Sequence, residues 1–231
     1  MKKIGLIGGM SWESTELYYR KINEAVKHRL GGHHSAKLVL DSVDFHSVME
    51  MQHEGNWQGT ADVLIESAKN IERAGADFLL ICTNTMHKVA PDVMAAVNIP
   101  LLHLADATAE RIVSDGHKTV GFLGTKFSME DDFYVGRLRE KYGLDVITPN
   151  KADREIVHQI IYDELCLGKV DDNSRSEFLR IINDLALSGA QCVIEGCTEI
   201  VLLVNQSHTD IKLYDTTAIH ADMAVNLALA D

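Results

Sequence analysis

The chain has 231 residues, 46% hydrophobic and 24% charged, with a formal net charge of −12 at pH 7. That length allows one large or two smaller domains with a real core, and such an acidic surface repels nucleic acid and anionic membrane, which sets both aside as partners. No apolar run approaches the roughly 18 residues of a spanning helix, and the opening apolar run after Met1-Lys2-Lys3 is cut off by Ser11-Trp12-Glu13, which reads as a buried first strand rather than a signal peptide.

In chain order, buried strands are expected at 4–7, 38–43, 78–81, 120–123 and 192–194. Between and after them lie amphipathic stretches at 14–30, 59–74, 129–142, 154–167 and 175–187, a helix from about Met86, and a last helix at 216–229. Strands alternating with helices in this way build βαβ units and mostly parallel sheets covered by helices. The four cysteines, Cys82, Cys166, Cys192 and Cys197, show no metal-type C-x-x-C spacing, so free thiols in a reducing, cytoplasmic setting are expected.

Three segments repeat in the same order. Ile4-Gly5-Leu6-Ile7-Gly8 returns as Val120-Gly121-Phe122-Leu123-Gly124, an offset of 121 − 5 = 116. The run from Ala74 to Thr83 returns as the run from Ser188 to Thr198, with a cysteine offset of 197 − 82 = 115. Leu104-Ala105-Asp106-Ala107-Thr108 is echoed by Leu213-Tyr214-Asp215-Thr216-Thr217, at 215 − 106 = 109. The repeats argue for an α/β fold of two pseudo-symmetric lobes, each a mostly parallel sheet flanked by helices, with the site in the cleft between them. The expected lobes are 1–103 with 207–231, carrying Cys82, and 104–206, carrying Cys197.

Each Cys-Thr turn then falls at the carboxyl end of a strand. A thiol at a strand-to-helix turn sits near backbone amides, an arrangement expected to lower its pKa, and Asn84 with the neighbouring threonines offers neutral donors for a carboxylate. For one free cysteine, a buried small hydrophobe is an equally good reading; Cys166 and Cys192, which lack the pattern, are read as core or surface residues. Glu199, after Cys197-Thr198, either accepts a hydrogen bond in the site or serves a helix N-terminus. Two matched thiols suit proton exchange at a stereocentre, one removing the α-proton from one face and the other returning a proton to the opposite face. A redox disulfide and a metal site drawing on His33, His34, His46, His53 or His87 are weaker readings. The loop Gly8-Gly9-Met10-Ser11-Trp12 lacks a nucleotide-binding signature and reads as a backbone approach to a small anion near Ser11 or Ser14, or as a tight turn.

These motifs resemble the aspartate/glutamate racemase family over essentially the whole chain. The resemblance rests on Ile4-Gly5-Leu6-Ile7-Gly8-Gly9-Met10-Ser11-Trp12-Glu13-Ser14-Thr15, on Cys82-Thr83-Asn84-Thr85-Met86-His87 and on Gly196-Cys197-Thr198-Glu199-Ile200. It implies an isomerase free of pyridoxal phosphate, metal or other cofactor, a small amino-acid substrate, a homodimer, and Cys82 and Cys197 as the two acid/base residues. Carried over with it are Met10, Gln52, Thr83, Asn84, Thr85 and Thr125 as substrate contacts, and Thr198 and Glu199 beside the second thiol. Aspartate-specific relatives add an arginine and a lysine; the stretch 44–52 offers no arginine and Lys169 aligns only loosely with the lysine, so a neutral side chain is expected to be accepted. A related cofactor-free isomerase or hydantoin racemase, a non-catalytic small-anion sensor and a thiol-redox protein are the alternatives.

Overall fold

The computed structural model describes residues 1–230 and divides them into two compact units, Met1–Leu104 with the chain from His220 onward, and Ala105–Ile219. In the first unit β1 (Ile4–Gly8), β2 (Leu38–Ser42) and β3 (Phe78–Ile81) form a parallel sheet ordered β2-β1-β3, and a parallel bridge from Leu79 to Leu101 adds a fourth position beside β3. The connections are α1 (Trp12–Leu30), α2 (Phe45–His53), α3 (Trp57–Arg73), a 3-10 turn (Thr85–Val89) and α4 (Ala90–Ala96).

Strand alternation sends Ile4 and Leu6 of β1 to one face, against Tyr18, Ile22 and Val26 of α1, and Ile7 to the other, against Ala61, Leu64 and Ala68 of α3. The α1 residues recur every four positions, so they form a single apolar stripe. Each large side chain so buried contributes about 1.5–3 kcal/mol. Gly9 turns the chain out of β1 at φ 92°, and a Cβ there would meet the Val43 carbonyl oxygen at 2.1 Å, so only glycine fits.

The second unit runs α5 (Leu104–Ser114), β4 (Thr119–Gly124), α6 (Lys126–Glu130), α7 (Val135–Tyr142), β5 (Asp145–Ile147), α8 (Lys151–Asp163), α9 (Asp172–Leu187), β6 (Cys192–Gly196), α10 (Ile200–Leu203) and β7 (Lys212–Asp215). Its parallel sheet is ordered β5-β4-β6-β7, the same order as the first once Leu101 is counted as a strand position. The chain ends its described course in α11 (Thr216–Leu229), whose Ala221, Ala224, Val225 and Ala228 join Ile4, Leu6 and Tyr18 in the first unit's core. Among the described residues no helix is long and apolar enough to cross a membrane.

The two parallel sheets flanked by helices are those expected from the sequence; several details differ. Residues 207–219, expected with the first lobe, belong to the second unit because β7 pairs with β6 along Cys192 to Glu195. The helix expected over 129–142 is two, α6 and α7, because Asp131 takes extended backbone and Tyr134 turns inward to stack on Phe122 at 4.7 Å. The helix expected over 154–167 ends at Asp163, and a 3-10 turn closed by left-handed Gly168 follows. The third repeat is displaced. Leu79 bridges Leu101 as Val193 pairs with Leu213, so Leu213 matches Leu101, at 213 − 101 = 112, rather than Leu104.

Candidate active site

Both thiol turns leave the carboxyl ends of parallel strands, β3 and β6. Cys82 follows β3 directly; its N–H donates to the Ile7 carbonyl at 2.9 Å, and the thiol lies on the face of the sheet occupied by Tyr18 and α11. Cys197 follows β6, where Gly196 pairs with Gly124 at the end of β4. A Cβ at Gly196 would stand 2.4 Å from the Phe122 ring, so the close approach of β4 to β6 just before the thiol requires glycine.

The loop after the glycine-bearing strand is also built twice. Ser11 caps α1, its Oγ accepting from the Ser14 N–H at 3.4 Å and lying 3.2 Å from the Ser14 hydroxyl. Thr125 caps α6, its Oγ1 accepting from the Ser128 N–H at 3.3 Å and lying 3.2 Å from the Ser128 hydroxyl. Both pairs are displaced by 114 residues, 125 − 11 and 128 − 14. Hydroxyl caps at helix starts satisfy backbone donors that would otherwise be orphaned.

Within the first unit, the residues singled out from the sequence gather around the β1 and β3 ends. Met10, Gln52, Asn84 and Thr85 are buried and Thr83 is half-buried. Gln52, buried on α2, donates from Nε2 to the Met86 sulfur at 3.5 Å, which ties α2 to the Cys82 turn. Within the second unit, Thr125, Cys197, Thr198 and Glu199 are buried at the ends of β4 and β6. The Cys197 thiol and the Thr198 hydroxyl both donate to Oε2 of Glu199, each at 2.8 Å. Glu199 also stands at the N-cap of α10, where its side chain makes no capping hydrogen bond.

Thiol acidity runs opposite to the expectation from the turn. Burial pushes the Cys82 pKa far up. At Cys197 burial does the same, and the Glu199 charge adds to it. Desolvation of the thiolate outweighs the backbone dipoles of a turn. Both thiols are therefore protonated at neutral pH.

Two residues that the sequence did not single out, His158 and Tyr162, lie with Cys166 on the side of the second thiol. Burial raises the Tyr162 pKa, and the acidic groups of Cys166, Cys197 and Glu199 nearby add to the rise. Its ring stacks on His158 at 4.7 Å, and His158 Nδ1 accepts from the Lys126 N–H at 3.3 Å, beside the Thr125 cap. His158 and Tyr162 are spaced i, i+4 on α8, a pairing the sequence contains, and Cys166 follows in the 3-10 turn after the helix.

Beneath the Cys82 turn lies a second unforeseen group. His87 Nδ1 is 2.8 Å from the Thr83 carbonyl and its Nε2 accepts from the Leu104 N–H at 3.2 Å. His103 lies 4.5 Å from His87, centroid to centroid, and His220 lies 6.1 Å away. His220 bonds the Leu102 carbonyl at 2.8 Å through Nε2 and the Tyr18 hydroxyl at 2.9 Å through Nδ1. Burial lowers the His220 pKa to about 3, so its ring is neutral. Among the described residues, no group of three His, Cys, Asp or Glu side chains is placed to hold a metal ion.

Comparison with known proteins places these motifs. The profile of the Asp/Glu/Hydantoin racemase family matches residues 7–224. The broad specificity amino-acid racemase RacX of Bacillus subtilis strain 168 is 22% identical over 98% of both chains. Among solved structures, a Yersinia pestis protein provisionally assigned as an Asp/Glu racemase is 53% identical, with a TM-score of 0.93 over 100% of both chains. An aspartate racemase homologue from Pyrococcus horikoshii OT3 is 36% identical, with a TM-score of 0.86 over 100% of both chains.

Proposed function

Because the chain belongs to the Asp/Glu/hydantoin racemase family, we propose that it is a cofactor-independent amino-acid racemase in which Cys82 and Cys197 exchange the α-proton of one substrate from its two faces. The observation that carries this reading is the duplication of one arrangement: in each unit a buried thiol in a Cys-Thr turn ends the strand beside a glycine-bearing strand whose own loop is hydroxyl-capped.

In the proposed reaction the thiolate of one cysteine takes the α-hydrogen as a proton. The electron pair of the broken Cα–H bond stays on the substrate and spreads into its carboxylate. The thiol of the other cysteine gives its proton to the opposite face, forming the new Cα–H bond and becoming the thiolate. The two sulfurs thus trade protonation states in each turnover. Thr83, Asn84, Thr85 and Thr125 supply neutral donors for the developing charge on the carboxylate. Burial favours the protonated form of both sulfurs in the free protein; on substrate binding one of them releases its proton to solvent, and the substrate's ammonium group favours the thiolate that remains. Glu199, already accepting from the Cys197 thiol, holds that side chain in place for its proton transfers.

We extend the proposal to substrates with neutral as well as acidic side chains. Near the motif residues, the Lys88 ammonium sits 4.0 Å over the Trp57 ring and Lys126 pairs with Glu155 at 3.3 Å, so these two cations are already engaged. The relative named for broad specificity supports the same breadth. Location in a reducing cytoplasm, supported by four free cysteines, and assembly as a homodimer belong to this reading; sedimentation checks the dimer.

The test is α-proton exchange in heavy water, followed by proton NMR on single enantiomers of aspartate, glutamate, several neutral amino acids and a 5-substituted hydantoin. Loss of the α-signal with appearance of the other enantiomer of an amino acid supports the proposal and ranks its substrates. Exchange with the hydantoin alone moves the substrate class, and no exchange with any compound overturns the reading.

A further inference from the structure

We propose that His87 is a positioning residue for Cys82, holding the thiol turn by its carbonyl with one ring nitrogen and the chain entering α5 with the other. The proposal rests on the racemase reading for its kinetic consequences, although its structural content stands on the contacts alone.

The ring is 2% exposed, and both of its nitrogens are engaged by backbone. The Leu104 N–H can only donate, so Nε2 must offer its lone pair. The hydrogen of the neutral ring therefore sits on Nδ1, where it donates to the Thr83 carbonyl. One tautomer satisfies both partners. The Leu104 N–H, at the first residue of α5, is among the donors that a helix start leaves without an intrahelical acceptor, and His87 takes it up.

The Thr83 carbonyl belongs to the residue immediately after Cys82. Fixing it fixes the peptide plane between Thr83 and Asn84, and with it the direction from which the thiol and the neighbouring donors leave the strand. The chain at Leu102 to Leu104 is an anchor in its own right, because His220 bonds the Leu102 carbonyl at 2.8 Å and is itself bonded by the Tyr18 hydroxyl from α1. The turn bearing the thiol is thereby tied through one ring to a segment held independently by α1 and α11. Reaction geometry is steep in distance: a misplacement of about 1 Å can cost on the order of a hundredfold in rate.

Two amides separate the ring's two contacts. The Asn amide nitrogen overlays the Nδ1 position and keeps a donor for Thr83, whereas the Gln amide reaches the Nε2 position and keeps an acceptor for Leu104. The experiment compares His87→Leu, His87→Asn and His87→Gln with the native protein. It reads kcat and KM for the best amino acid, together with the iodoacetamide alkylation rates of Cys82 and Cys197 resolved by peptide mass spectrometry. Expected are a fall in kcat of roughly tenfold or more for His87→Leu and His87→Gln with KM little changed, and substantial recovery in His87→Asn. The alkylation rate of Cys82 changes in the two impaired variants while that of Cys197 does not. Equal impairment of the Asn and Gln variants, or a parallel shift at both cysteines, would overturn the proposal in favour of a general packing role. If His87→Leu does not fold, the Asn and Gln pair decides. If the native protein racemises nothing, the functional reading fails, and the selective change at Cys82 still decides the role of His87.

Discussion

Cys82 owes its raised pKa to burial, whereas Cys197 has the Glu199 carboxylate beside it as well. Glu199→Gln removes that charge while keeping the shape, so the Cys197 pKa falls and its alkylation-versus-pH curve moves to lower pH. The Cys82 curve stays where it was, and a shift of both curves would speak against a local effect. Replacing either thiol, as Cys82→Ser or Cys197→Ser, is expected to lower kcat/KM by about 10²–10⁴-fold, the usual worth of a positioned acid or base. Chiral chromatography checks this, and full racemisation by either variant would sink the two-thiol mechanism. The two cysteines were legible in the sequence because each sits in a repeated Cys-Thr context. Their acidity was not, because its direction depends on depth of burial, which the turn motif does not report. His87 lies in the segment Cys82-Thr83-Asn84-Thr85-Met86-His87, yet its proposed role rests on Leu104, seventeen residues on, and no local spacing announces that contact.

At the level of elements, the histidine that anchors the chain before α5 makes stability depend on acid. His220 has a folded pKa near 3 against an ordinary 6.5, so the unfolded chain binds the extra proton between those values. The stabilisation from keeping this ring neutral is present above about pH 6.5 and is lost as pH falls toward 3, by an amount on the order of 5 kcal/mol. Urea unfolding at pH 7 and pH 4 measures it, and His220→Gln should show a markedly smaller loss between the two. In the β1 turn, Gly9→Ala is expected to destabilise by roughly 2–4 kcal/mol, because it forces a Cβ into the Val43 carbonyl at a positive φ; thermal unfolding of the variant checks it. Five of the seven strands among the described residues were readable as apolar runs, although β2, expected to be buried, is not: Leu40 is 41% exposed. β5 has three residues with Asp145 exposed, and β7 begins with exposed Lys212, so neither presents the run that marks a buried strand. α2 escaped because its start depends on Asp44 capping the His46 N–H, a contact made at 3.2 Å by a side chain that also suits a loop.

Over the whole molecule, the net charge of −12 acts at a distance on whatever approaches. An acidic amino acid carries a net negative charge at neutral pH and a neutral one does not. Raising ionic strength from about 0.01 to 0.3 M should therefore lower KM for aspartate by roughly two- to threefold and leave KM for alanine unchanged; equal salt dependence for both would refute electrostatic repulsion as a factor. The duplicated halves were readable at this scale as well, because two similar segments returned in register and a third returned displaced by three residues. The second boundary was not: the sequence placed it near Gln206, and β7 pairing with β6 carries it inside α11. That crossing has a consequence for biogenesis. All of Ala105–Ile219 leaves the ribosome before Ala221, Ala224, Val225 and Ala228, which wall one side of the core around Ile4, Leu6 and Tyr18. During synthesis the half encoded later is therefore the first able to close, while the half encoded first waits, one wall short, for the final helix to emerge.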